Sequence, residues 1–488
     1  MTKRLLYTSI LAGLLISSNA YSVTIQNQNA NLSVETDYSG NSSGAGMRAT
    51  NKNGGAPWEV VTFADINVYD NSEGIYIGPN AAGRVVGVSG TETLYIHDND
   101  GGISVDSGGE LSIENMNVYL EANTSMAIGT GLGYVNIIGN TDGSNKLTID
   151  ATGSNDSAII NAGFITIENM DIDITGYDAG FTRLVYSSWQ NSPGGGSEVL
   201  NISGSLNAEN WLRIYDNNSS GGLNLIDNSA NSEIKNINIE MSGNTATSSL
   251  YGYQSTSTNS RVYADQGYSK VFKFVDNEAR SMDAIYHYGG IIRFHNYDII
   301  IDGNTATDMI NGLSAHTASQ GSQFTADDGT ARLIQISNNT VTNGNFDGLN
   351  DTNLIFTNMD ILIDNNISKI TTGLVLANAT FTGDATNRNK IIITDNKSNS
   401  GGNVFGASII NTNNTISNMD IYAKNNDFMR LSSGDVTFDN SPILIDDNTS
   451  AAFTALPLYS FGTTDVYLNN GSNVVTNGGA LWEVEGRA

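Results

Sequence analysis

One short phrase, repeated along the chain, constrains this sequence more than any other feature. An apolar residue is followed, two positions on, by Asn, then a large residue, Asp or Asn, and an alternating apolar pair. Ile113-Glu114-Asn115-Met116-Asn117-Val118-Tyr119-Leu120 is the first clear copy. Later copies are Ile167 to Ile174, Ile234 to Met241, Phe294 to Ile301, Phe356 to Ile363 and Ile416 to Ala423. The leading Asn falls at 115, 169, 236, 296, 358 and 418, at intervals of 54, 67, 60, 62 and 60. A second phrase lies between these copies, a short apolar strand ending in Asn. Leu223 to Asn228, Phe272 to Asn277, Leu333 to Asn338, Ile391 to Asn396 and Ile443 to Asn448 carry it. Strand-ending Asn residues at 244, 277, 304, 338, 366, 396, 426 and 448 then step by 22 to 34 residues, a unit of about 29.

Such a unit suits a parallel β-helix. Its strands alternate apolar and polar residues, the period of a half-buried strand. Val, Ile, Phe and Tyr dominate the inward positions, and no long window has helical periodicity. A parallel pair needs a crossover of a dozen or more residues, and a coil of about 29 residues supplies it by winding round. About 16 coils would make a stack about 75 Å long. The Asn after each strand is expected in a turn, where it tolerates left-handed φ, and in a ladder with the Asn of neighbouring coils. The fold expected is all-β, a single-stranded parallel β-helix over residues 23–488. Length alone would suggest about three compact domains. Uniform composition, with 5 prolines in 488 residues and no linker, argues for one solenoid.

The N-terminus reads as an export signal. Lys3 and Arg4 precede an apolar run from Leu5 to Ile16, and Ser18-Asn19-Ala20 offers small residues two apart. Residues 1–22 are therefore expected to be a signal peptide, and the chain to be exported. The run is shorter than the roughly 20 residues that span a bilayer. With 22 Lys plus Arg against 50 Asp plus Glu, the net charge is −28, which repels phosphate backbones and disfavours nucleic acid as a partner. There are 0 cysteines, which excludes disulfides and thiolate metal sites.

Signal peptide, Cys-free Gly- and Asn-rich repeats and short strands together resemble the passenger region of bacterial autotransporters, whose β-helices are right-handed. Phe274-Val275-Asp276-Asn277 matches the FxxN signature of chlamydial-type polymorphic outer-membrane proteins, and Gly478-Gly479-Ala480-Leu481 matches their GGA[ILV] signature. The resemblance covers the mature chain as architecture, and pectate-lyase-like β-helices are similar to almost the same degree. It implies right-handed coils, display at the cell surface or outer membrane, and adhesion or virulence as roles. It also implies a translocator barrel as partner. No barrel pattern precedes Ala488, so the sequence is expected to be a fragment of a longer autotransporter.

No residue set compels catalysis. Asp106-Ser107-Gly108-Gly109 has the form of a serine-protease nucleophile loop, but the one upstream base is His97, and a Gly-rich turn explains the residues. Hydrolysis of a glycan needs two carboxyls facing a cleft. Adjacent acids occur at Asp327-Asp328, beside Arg293 and His295 in sequence, and at Asp446-Asp447. The calcium nonapeptide of RTX proteins is absent, since Gly194-Gly195-Gly196 lacks the following Asp. Asp98-Asn99-Asp100 is at most a weak Ca²⁺ turn. No catalytic residue, metal site or cofactor is expected.

Aromatic residues between strands are the better candidates. Tyr251, Tyr253, Tyr263, Tyr286 and Tyr288, with Tyr268 and His287 nearby, are expected to bind a ligand. Tyr gives large contact area at low entropy cost. The competing explanation is that they pad the coil. The function expected is a monomeric, non-catalytic surface passenger acting in adhesion or host contact, with a host or bacterial surface glycan or protein as partner. The alternatives are a β-helix polysaccharide lyase or glycoside hydrolase, and an inert stalk.

Overall fold

The structure is a computed structural model. It describes residues 30–477 except 33–35, 41–43, 50–57, 122, 153–156, 181, 188–198, 258–259, 288–290, 316–321, 400–406, 411–413, 427–428, 433–435, 447–465 and 470–473. The expected signal peptide, the Gly194–Gly196 run, Tyr288, Asp447, Asn448 and the GGA[ILV] match lie outside the described residues.

The chain is all-β, a parallel β-helix with three parallel sheets around one apolar core. Each strand pairs with its counterpart one coil on, as Glu110–Glu114 does with Tyr134–Ile138. Among the described residues the first sheet has sixteen strands, including Glu110–Glu114 and Ile292–His295. The second also has sixteen, among them Asn117–Glu121 and Tyr297–Asp302. The third includes Gly101–Val105, Leu223–Asn228 and Thr245–Ser255.

Alternation places one side chain column inside each sheet. In the first sheet, Ile113, Ile137 and Ile167 stack in register and are buried. Further along the same column becomes aromatic. Phe294, Phe324, Phe356 and Phe381 stack nearly parallel, with centroids 5.7, 5.4 and 4.6 Å apart. Successive coils repeat one geometry, so identical rings meet face to face with the offset that aromatic pairs prefer.

Two different asparagines turn the chain. The leading Asn of the first phrase (115, 169, 236, 296, 358, 418) sits at the corner between first and second sheets, with φ of 53 to 59°. That left-handed conformation is one Asn tolerates better than most residues. The strand-ending Asn stands at the corner between second and third sheets and forms the expected ladder, from Asn217 through 244, 277, 304, 339, 366 and 396 to Asn426. A shorter ladder joins Asn71, Asn99 and Asn123. The ladder Asn is not itself left-handed. The residue before it is, as at Asp216, Gly243, Asp276, Gly303 and Asn338.

Two details of the sequence expectation change. The ladder residue after Leu333 is Asn339, not Asn338, which supplies the left-handed step. Leu223–Asn228 belongs to the third sheet, and the second-sheet strand of that coil is Trp211–Tyr215, ending on Asn217. Short apolar stretches ending in Asn occur in both the second and the third sheet, so composition could not tell these strands apart.

The two phrases alternate because the corners between first and second sheets alternate. One coil turns on a single Asn, such as Asn296. The next carries a longer loop, such as 204–210, 264–269 or 326–331. Loops two coils apart touch across the tight corner. Asn145 Nδ2 donates to Gly90 O (2.7 Å), Asn210 Nδ2 to Gly143 O (3.1 Å), and Gly267 N to Asp327 Oδ2 (3.3 Å).

Truncating Asn304 tests the ladder. Asn304 accepts from Asn277 N and Nδ2, and donates to Phe274 O and Asn339 Oδ1, all at 2.9–3.0 Å. Asn304→Ala strands these buried groups and should cost about 2–4 kcal/mol. A lower urea midpoint, with faster amide exchange over 272–341, is the expected outcome.

Candidate functional site

The outer face of the third sheet departs from simple alternation. Its strands contain a four-residue pattern in which two consecutive residues point inward and the residues on either side point outward. Arg183 to Tyr186, Tyr251 to Gln254 and Asp347 to Asn350 show it in their exposure. Asn224 to Asp227, Asp283 to Tyr286 and Asn311 to Ser314 align with them in register, with Asn224, Asp227, Asp283, Asn311 and Ser314 themselves buried. The inner pairs, such as Leu225-Ile226 and Ala284-Ile285, are buried. Two inward residues in a row bend the strand towards the core. Gly252 and Gly312 sit at this bend, where an added Cβ would lie 2.9 Å from Phe274 Cδ2 or 2.7 Å from Ile336 Cδ1 of the second sheet.

The bend draws the outward residues together into a furrow with two rails. One rail runs Arg183, Asn224, Tyr251, Asp283, Asn311, Asp347 in register, and the other Tyr186, Asp227, Gln254, Tyr286, Ser314, Asn350. Neighbours are spaced by about 4.8 Å. Side chains bridge the rails. Asn224 Nδ2 donates to Asp227 Oδ2 (3.3 Å), Ser314 Oγ to Asp283 Oδ1 (2.5 Å), and Asn350 Nδ2 to Asp347 Oδ2 (3.1 Å). Tyr251 and Tyr286 meet across the furrow with centroids 5.2 Å apart, tilted by 37°. Arg183 lies over the Tyr186 ring at 4.4 Å and pairs with Asp227 at 2.9 Å.

Three furrow acids are deeply placed, and burial raises all of them above the usual carboxylate range. Asp227 and Asp283 rise despite hydrogen-bond partners, and Asp347 is pushed up to about 7. The side-chain oxygens Asn224 Oδ1, Asp227 Oδ1 and Asn311 Oδ1 are buried without a hydrogen-bond partner.

The four expected tyrosines among the described residues separate, Tyr288 lying outside them. Tyr251 and Tyr286 come together in the furrow. Tyr253 does not face solvent; it is fully buried, its hydroxyl 3.1 Å from Ser232 Oγ and its ring against Phe294. It is the second inward residue of its bend, so it pads the coil. Tyr263 lies on the first sheet, donating to Glu233 Oε1 (2.7 Å) under Lys235. Tyr268 is exposed in the 264–269 loop, and His287 is buried.

Other sequence candidates resolve into corners. His295 Nε2 does meet Asp327 Oδ1, at 3.2 Å, but Asp327 also accepts from Asn296 Nδ2 and Gly267 N, so it fastens the loop to the tight corner. Asn99 of Asp98-Asn99-Asp100 belongs to the ladder. His97 stacks on Tyr69 in the second sheet, whereas Ser107 lies in the turn after the third-sheet strand Gly101–Val105, whose Asp106 accepts from Tyr76. Among the described residues no three His, Asp or Glu side chains are placed to hold a metal ion. No family model, curated protein or solved structure matches the chain.

Sequence reasoning missed Asp227, Asp283 and Asp347. The signal was present as polar–apolar–apolar–polar tetrads that break alternation at the same place in the coils between Arg183 and Asn350.

The raised pKa of Asp347 has a defined consequence. Its folded pKa of about 7 exceeds the unfolded value of about 4, so the folded chain binds the proton more tightly. Its contribution is most favourable below about pH 4 and is lost as pH rises through about 7. Melting curves from pH 4 to 8 should therefore show Asp347→Asn gaining stability relative to wild type as pH rises.

Proposed function

We propose that this chain is an exported, surface-displayed β-helical passenger of autotransporter type. It acts by non-catalytic adhesion, holding a surface glycan along the third-sheet furrow. The observation that carries this reading is the furrow itself. Two tyrosines and a double rail of amide, hydroxyl and carboxyl groups recur at coil spacing along one face of a rigid stack. Repeated polar groups beside aromatic rings suit a repeating polymer, whose hydroxyls hydrogen-bond while its C–H faces lie on the rings. The export pattern at residues 1–22 and the autotransporter resemblance supply the display context. Binding to cells or an immobilised glycan panel should fall by roughly tenfold or more in Tyr251→Ala/Tyr286→Ala, with melting temperature little changed. Undiminished binding would sink the proposal.

A second reading, a β-helix glycoside hydrolase, is favoured by one observation. Asp347 keeps its proton to near neutrality in the same furrow as Asp283, the arrangement a general acid needs. Release of reducing ends from a polysaccharide by wild type, abolished in Asp347→Asn, would establish it in place of simple adhesion.

A further inference from the structure

Towards the N-terminus the same outer face opens into a cavity of about 230 Å³, lined by Ser72, Glu73, Asp100, Gly101–Ser104, Ser125 and Met126. Its origin is visible in the rails. Glu73-Gly74-Ile75-Tyr76 pairs in register with Gly101-Gly102-Ile103-Ser104. Where one coil places Glu and Tyr outward, the next places Gly and Ser. The missing side chains are the cavity. Glu73 walls it on one side. Met126 closes the other, its sulfur lying over Gly129, where any Cβ would meet it.

The lining restricts what could enter. Glu73 and Asp100 contribute carboxyls, and Ser72, Ser104 and Ser125 contribute hydroxyls. Among the described residues no Lys, Arg or His lines the cavity. Arg48, the nearest cation on the rails, lies over the Tyr76 ring at 5.2 Å. Glu73 Oε2 is buried without a hydrogen-bond partner. Burial raises the Glu73 carboxyl, the charge of Asp106 adds to the effect, and the Arg48 guanidinium opposes it. Acceptors thus dominate, and an entering group must bring donors. An acid group entering it would meet the net negative charge of Glu73 and Asp100, opposed by Arg48 within electrostatic reach of Glu73. Met126 offers a soft apolar wall for ring C–H groups.

We propose that this cavity is a subsite for one uncharged or amine-bearing sugar ring of a glycan lying along the third-sheet face, and that acidic sugars are excluded. The proposal rests on the third-sheet face being the recognition surface.

Gly101 provides the test. Its backbone is not left-handed, and an added Cβ would meet Ser125 Oγ at 3.4 Å and Glu73 Cγ at 3.7 Å, ordinary contacts. Gly101→Leu therefore fills the cavity without forcing the coil. Gly101→Ala leaves most of it open, and Ser104→Leu fills it from the other rail should Gly101→Leu not fold. The full chain would be run in affinity gels containing dextran, cellulose-derived and chitosan oligosaccharides, or polygalacturonate. Wild type should be retarded by a neutral or amine-bearing probe and not by polygalacturonate. Gly101→Leu should lose roughly tenfold in affinity at unchanged melting temperature, and Gly101→Ala should keep it. Retardation by polygalacturonate that depends on Tyr251 and Tyr286 would overturn the subsite's chemistry and leave the recognition surface standing. Wild-type affinity in both filled variants would overturn the subsite alone. Retention by no probe would overturn both.

Discussion

The structure depends on an amide that bonds in four directions. A parallel coil that turns from its second sheet to its third must leave backbone groups unpaired at the corner, at a depth water does not reach. The ladder Asn covers them. Its Nδ2 donates to the carbonyl of the inward residue one coil back, as Asn277 does to Met241 O and Asn304 to Phe274 O. Its Oδ1 accepts both the backbone N and the Nδ2 of the preceding Asn. Both amide hydrogens and both carbonyl lone pairs are used, so no other side chain of this size substitutes. Asp lacks the donors, Ser lacks the reach, and Gln is longer by one carbon. Each coil thereby fixes the rotation and height of the next.

This constraint explains what was legible in the sequence. FxxN at Phe274–Asn277 is an inward residue, an outward one, a left-handed step and a ladder amide. Ile301-Asp302-Gly303-Asn304 and Ile363-Asp364-Asn365-Asn366 obey the same rule. Each position has one physical demand, so the coil length and the asparagine role could be read directly. The two kinds of Asn could not be separated by composition. Asn338 and Asn339 are adjacent and identical in type, and only hydrogen bonding distinguishes the turner from the rung.

The furrow was legible in part. Tyr251 and Tyr286 stood out as members of an aromatic cluster in the sequence. Tyr253 stood out equally and is core, because Gly252 bends the strand and shifts the inward register by one residue. Alternation predicts outward and inward faces only while the strand is straight. The same bend buries Asp227 and Asp283 and half-buries Asp347, which in a straight strand would be ordinary solvated acids. Their raised pKa values are thus a property of backbone curvature more than of charge placement, since desolvation is the first cause for each.

The alternation of tight and looped corners also bears on how such a chain can lengthen. Asn236 bonds to Asp265, and Asn296 to Asp327, each tight corner clasping the loop that follows. Copying one coil within the gene would set loop beside loop, or tight corner beside tight corner, and leave the clasp without its mate. Copying two coils, a segment of about 60 residues, preserves every contact. The heritable unit of this solenoid is therefore the pair, while the unit of its backbone geometry is the single coil.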